Sequence, residues 1–316
     1  MNTALRTAVV VLALVGAAAR ADDTKVAIGI SGWTGFAPLT LAKEAGLFAK
    51  RGLDVSLKKI PQKDRHLAIA SGDVQCAATT VETWIVWNAS GVATTQIFQL
   101  DKSYGADGMV VKPGIAKIAD LKGKTVAASA PGTAPYFALA WMLKKNGLST
   151  KDVEIVNLEP QAAANAIIAG AAGIDAAMTY EPYLSAVRAA PAAGRIIATT
   201  LDYPIVMDTV GCTPKFLAEN PKAAQALADA YFDALELIRT DPGRSFERMG
   251  ADVKQTAAQF EASQKYLRWQ DRAANRKFFA TEFVTFSREA AELLLEAGIV
   301  RQVPDLSKLA DTRFID

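Results

Sequence analysis

The chain has 316 residues, 51% of them hydrophobic, 22% charged and 8% aromatic, which excludes disorder or a fibrous architecture over most of its length. Its 35 Lys and Arg against 33 Asp and Glu leave a net charge of +2, too little for the basic field of a nucleic-acid binder. The single histidine, His66, would have to carry any Ser-His-Asp triad, Cys-His pair or multi-histidine zinc site alone, and the length suits roughly two domains of about 150 residues.

Residues 1–21 carry Arg6, an apolar run over 8–15 and small residues at Ala19 and Ala21, the pattern of a Sec-type export signal. The apolar run is about half the roughly 20 residues that a membrane-spanning helix needs. Cleavage after Ala21, leaving a protein free in a bacterial periplasm, is therefore expected. Asp22 rather than Cys follows the cut, so a lipid anchor is not indicated. Removing 1–21 takes away Arg6 and Arg20 and no acid, which makes the basic count equal to the 33 acids.

Residues 25–31 (KVAIGIS) alternate with β-branched side chains and predict a first strand. Pro38 opens a helix that Gly46 stops, and a second strand ends the stretch 47–60. A helix over 65–71, a strand over 74–78, a helix from Thr80 and a strand near 94–99 continue an α/β order. A second unit starts near Met109, with strands at 109–112, 125–129, 153–157 and 174–179 and helices at 133–146, 162–169 and 181–189. LAIASGDVQCAATT (67–80) echoes AIIAGAAGIDAAMT (166–179), which suggests two related lobes. Beyond Pro214 the pattern is mostly helical. Asn220 and Pro221 start one helix, with an apolar face of Leu227, Tyr231, Ala234, Leu235 and Ile238, and further helices are expected over 256–269 and 281–297. Cys76 and Cys212 lie in apolar, strand-like stretches; an oxidising compartment allows them to pair, and two separately buried thiols are the alternative.

The stretch GFAPLTLAKEAGLFAKRGLDV (35–55), with SGDVQCA (71–77), DLKGKTVAASAPGTAPY (120–136), GLSTKDVEIVNL (147–158), TYEP (179–182) and FLAENP (216–221), resembles the solute-binding proteins of nitrate, sulfonate and taurine-type ABC importers. The resemblance implies a type II periplasmic binding protein: two α/β lobes, each a mostly parallel sheet flanked by helices, joined by two crossing segments around a ligand cleft that closes by a hinge. Lobe 1 would hold residues 24–108 and 211–316, with a C-terminal helical layer, and lobe 2 residues 109–210. The implied partners are a small-molecule ligand and an ABC permease of the inner membrane, not nucleic acid, for a monomeric receptor that needs no cofactor and no metal.

Ligands of open α/β sheets bind beyond the carboxyl ends of strands. The strand exits at 31–36, 79–84, 104–107, 129–136, 179–183 and 205–208 contain Glu82, Asp107, Glu181 and Asp208 but no Lys, Arg or His. They also hold Trp33, Phe36, Trp84, Tyr104, Tyr136, Tyr180 and Tyr183. Acids beside rings suit a cationic nitrogen, which gains ion pairing and a cation–π contact of roughly 2 kcal/mol when desolvated. The hydroxyls of Ser31, Thr79, Thr80 and Thr133 and helix N-termini could hold an anionic end. The ligand expected is thus a small cationic or zwitterionic nitrogen compound: taurine-like, an amine or guanidinium-like. Each acid also has a structural alternative: Glu82 and Glu181 as first-turn helix residues, Asp107 and Asp208 as partners of hinge backbone. Trp87 is expected in the core and His66 in a solvated or capping role.

A non-catalytic transport receptor is the favoured function. A sensor that reports the ligand to a partner is not separable from it by sequence. The alternative from another class is an enzyme of the pyrimidine-precursor synthase type, which the fold resembles; the cysteine-rich motif and cofactor-linked Lys and His of those synthases have no match here. Gly123-Lys124-Thr125 is not a phosphate loop, because Ile118 stands where the loop needs glycine.

Overall fold

The structure, a computed structural model, describes residues 23–316. The expected export signal and its cleavage site lie outside them. The first unit runs β1 (Thr24–Ile30), α1 (Ala37–Glu44), β2 (Leu53–Lys59), α2 (Arg65–Ser71), β3 (Cys76–Thr80), α3 (Val81–Ala89) and β4 (Thr95–Ser103). The second runs β5 (Asp107–Val111), β6 (Thr125–Ala128), α4 (Ala134–Lys145), β7 (Glu154–Asn157), α5 (Pro160–Ile168), β8 (Ala176–Tyr180), α6 (Tyr183–Arg188) and β9 (Arg195–Thr199). The chain then returns through β10 (Met207–Cys212) to α7 (Pro214–Glu219), α8 (Pro221–Thr240), α9 (Pro242–Asp252), α10 (Ala257–Gln264), β11 (Leu267–Trp269), α11 (Arg272–Ala280) and α12 (Glu282–Glu296).

Two sheets result, in the orders β11-β4-β10-β3-β1-β2 and β7-β6-β8-β5-β9. Strands linked through helices pair in parallel, as expected: β1 with β2 and β3, and β6 with β7 and β8. The strands next to the crossings do not. β10 is antiparallel to β3 and β4, and β5 is antiparallel to β8 and β9, so both sheets are mixed. The cause is topological: a chain entering a sheet directly from the other lobe arrives at the cleft edge and must run away from it. β5 lies wholly in the second sheet and β10 wholly in the first. The crossings are therefore residues 104–106 and 200–206, a few residues before the expected boundaries at 108/109 and 210/211.

Burial explains the central strands. Every residue of β3 is buried, as are Val26, Ile28, Ile30 and all of β5, giving the near-continuous apolar runs of strands covered on both faces. The face of α8 forms as read, with Leu227, Tyr231 and Ala234 buried and Leu235 and Ile238 half-buried. The Tyr231 hydroxyl donates to the Leu100 carbonyl and its ring stacks on Phe98 at 5.2 Å, fixing α8 to β4. The helix expected over 256–269 ends at Gln264 instead. Leu267–Trp269 forms β11, which extends the first sheet along β4 and so satisfies that strand's outer backbone groups. Cys76 and Cys212 face each other across the β3–β10 ladder and form a disulfide.

Candidate functional site

A narrow, partly open cavity lies between the two sheets. Because β5 and β10 run against their neighbours, their first residues meet the last residues of β3 and β8 at one edge. Asp107 pairs with Tyr180, and Asp208 with Thr80 on one side and Asp101 on the other. The exit of β1 contributes Ser31, Trp33 and Phe36; Thr79 and Val206 complete this part of the lining.

Seven of the expected residues are thus brought together at the cavity: Trp33, Phe36, Thr79, Thr80, Asp107, Tyr180 and Asp208. The Trp33 ring meets Tyr180 edge-on with centroids 5.3 Å apart, an aromatic contact between the two lobes. Four others are not in the lining. Glu82 is buried behind it, accepting from the Thr80 hydroxyl with its Oε1, while Oε2 has no partner. Thr133 donates its hydroxyl to the Ala130 carbonyl at 2.7 Å and leaves the cavity to its neighbour Ala134. Tyr136 is half-buried on α4, away from the cavity. Glu181 is engaged elsewhere: its carboxylate pairs with Arg188 and accepts from the Ser185 backbone N–H at 3.2 Å. Arg188 in turn lies over the Tyr266 ring at 3.9 Å and donates to the Gly105 carbonyl at 2.8 Å. Glu181 is therefore part of a clamp on the first crossing. Of the other rings at the strand exits, Trp84 is buried and donates to Thr209 Oγ1 at 2.7 Å, and Tyr104 is exposed beneath Arg268.

Three residues at the site were not anticipated. Asp101, fully buried on β4, accepts from Trp33 Nε1 at 3.3 Å and so orients the indole. Gly35 permits this, because a Cβ there would fall 2.2 Å from Asp101 Oδ2 and from Trp33 Nε1. Arg65 and Gln62 line the cavity directly. The Arg65 guanidinium is buried, with Nε donating to the Ile60 carbonyl at 2.9 Å and Nη1 to the Ala78 carbonyl, while Nη2 has no partner. Both follow β2, whose exit was left out of the strand ends considered; applying the same rule there would have found them. The expectation of a lining without a basic group is corrected accordingly. His66, next to Arg65, packs near Trp87, which is in the core.

The electrostatics remain dominated by acids. Burial pushes Asp107 up to about 7 and Glu82 up to about 8. Asp101 and Asp208 are raised well above the usual carboxylate range, first by burial and then by neighbouring acids, with Asp107 acting on both. Burial lowers Arg65 to about 10. In the lining one guanidinium stands against Asp107 and Asp208, with Asp101 and Glu82 buried behind them, and Asp107 Oδ2 has no hydrogen-bond partner. A positively charged group entering the cavity would supply the missing counter-charge. Among the described residues no group of three or more His, Cys, Asp or Glu is placed to hold a metal ion, and no helix is long and apolar enough to cross a membrane.

The chain is 31% identical to the taurine-binding periplasmic protein of Escherichia coli over 218 residues, 65% of this chain and 64% of that protein. Its fold is similar to that of the alkanesulfonate-binding protein of Xanthomonas axonopodis pv. citri bound to MOPS, with a TM-score of 0.79, 18% identity and coverage of 93% and 100% of the two chains. It is also similar to the periplasmic nitrate-binding protein of Synechocystis PCC 6803, with a TM-score of 0.72, 18% identity and coverage of 92% and 86%. A family model described as NMT1/THI5 like matches residues 33–245. With two mixed α/β sheets enclosing a polar cleft and a match across most of its length, the chain belongs to the NMT1/THI5-like family.

Proposed function

We propose that this protein is the extracytoplasmic substrate-binding component of an ABC importer, and that it captures a small cationic or zwitterionic nitrogen compound and delivers it to a membrane permease. The observation that carries the reading is the lining of the interlobe cavity: Asp107 and Asp208, backed by Asp101 and Glu82, beside the rings of Trp33 and Tyr180 and only one basic side chain, Arg65. The nitrogen would sit between the two aspartates and the rings, where ion pairing and cation–π attraction act in a dry site. An acceptor group at the other end of the ligand would meet Arg65 Nη2. A taurine-binding relative and a nitrate-binding structural neighbour indicate that one fold serves different small polar solutes. Closure would turn on the two crossings, with Arg188 and Glu181 bracing the first.

Calorimetric titration with ethylamine, guanidine, taurine, ethanesulfonate and nitrate tests the assignment. Binding of amines, guanidine or taurine is expected, and tight nitrate binding without amine binding would contradict it. The pH profile has a definite sign. A cation favours the ionised carboxyl groups, whereas Asp107 near 7 and Glu82 near 8 are partly protonated in the free protein at neutral pH. Binding should therefore release protons and tighten from about pH 6 to about pH 8.5. Buffers of different ionisation enthalpy measure that release; a flat profile with none would contradict the placement of the charge.

A further inference from the structure

We propose that Gln62 sets the specificity of this cleft by occupying the polar groups that a sulfonate-type headgroup would require, steering the site toward nitrogen compounds whose acceptor end is small or absent. The inference rests on the reading of the cavity as the solute site and narrows the class of solute. Gln62 precedes α2 in the first lobe, yet its side-chain amide spans the cleft. Its Oε1 accepts from the Ala134 backbone N–H, at the start of α4 in the second lobe, at 3.2 Å. Because that partner is an obligate donor, the amide orientation is fixed, with Nε2 directed into the first lobe. Nε2 donates to Thr79 Oγ1 at 2.8 Å and to Thr83 Oγ1 at 2.9 Å.

The groups so engaged are those an oxyanion would use: an N-terminal N–H of the 12-residue helix α4 and hydroxyls at the end of β3 and the start of α3. Arg65 marks the same corner as a polar one, since its buried guanidinium lines this cavity and keeps Nη2 without a partner. With Gln62 in place, a three-oxygen headgroup finds Arg65 but must displace the amide to reach the α4 N–H and the hydroxyls. A headgroup with one acceptor, or none, has no such need. Shortening the side chain would release the Ala134 N–H and uncover the Thr79 and Thr83 hydroxyls, whose oxygens now accept from Gln62, for an acceptor-rich headgroup.

The test compares wild type with Gln62→Ala and Gln62→Glu, each titrated with taurine and with ethylamine, which differ by the sulfonate. In Gln62→Ala the preference for taurine over ethylamine should rise at least about tenfold. In Gln62→Glu, which places a carboxylate at the same helix end, it should stay at the wild-type value or fall. A purely structural role would change both affinities together and leave the ratio alone. Thermal melting shows whether each variant is folded. An unchanged ratio in folded Gln62→Ala, with ethylamine still bound, overturns the proposal and keeps the receptor reading. Taurine binding gained by Gln62→Ala over a wild type that binds neither compound would keep the proposal and overturn the expectation that the wild-type cleft takes these nitrogen compounds. Failure of all three folded proteins to bind either compound overturns both.

Discussion

Replacing Asp107 with Asn is expected to weaken binding of a cationic ligand roughly 100-fold, about 3 kcal/mol, while making the ligand-free protein more stable. The two effects have one cause. Asp107 begins β5 at the cleft edge, is 4% exposed, and has an unpartnered Oδ2. Burial and then the charge of Glu181 raise its pKa. A carboxyl group held near 7 in the native state but near 4 in the unfolded chain binds more protons when folded. Its contribution to stability is therefore lost progressively as pH rises from about 4 to about 7. Asn keeps the shape without the charge, so the gain in melting temperature of Asp107→Asn should be larger at pH 8 than at pH 5. The cation loses its counter-charge at the same time, which calorimetry reads directly. Unchanged affinity would remove Asp107 from the site; lower stability at pH 8 would contradict the account of its environment.

Converting both Cys76 and Cys212 to Ala should lower the stability of the protein by roughly 2–5 kcal/mol. The disulfide closes a loop with a sequence separation of 136 that contains the whole second sheet, so cutting it frees a large part of the unfolded chain. Both sulfurs are buried in strands that reach the cleft: β3 ends at Thr79 and Thr80, and β10 carries Asp208. The bond thus fixes the returning chain against the strand that supplies the cleft hydroxyls. Denaturant titration of the double variant against the oxidised protein measures the loss. An unchanged midpoint would show that the ladder alone holds β10 in place.

The legibility of the sequence followed the range of the interactions. The strand–helix alternation and the returning helical layer were readable because they depend on local periodicity and caps, as in the residue-for-residue match of α2 to 65–71. The antiparallel pairing of β5 and β10 was not, since it depends on where the chain crosses between lobes. Asp107, Asp208, Trp33 and Tyr180 meet at the cavity because strand ends converge at the edge of a sheet. Glu181 stands outside the lining because its carboxylate is taken by Arg188, seven residues along, and by the Ser185 N–H in the first turn of α6. Arg65 reads only as the first residue of a helix, because the exit of β2 is left out of the strand ends. Only the three-dimensional course of β1 and β3 brings its guanidinium beneath the Ala78 carbonyl and into the cavity. Gln62 gave no sign of its cross-lobe contacts, which join residues 72 positions apart.

The captured solute is expected to carry a positive charge. Native mass spectrometry of the protein purified without added ligand, followed by release and identification of any retained compound, tests it most directly. The expected result is a small molecule with a protonated nitrogen, alone or in a zwitterion. Recovery of nitrate or of an alkanesulfonate without nitrogen would contradict it.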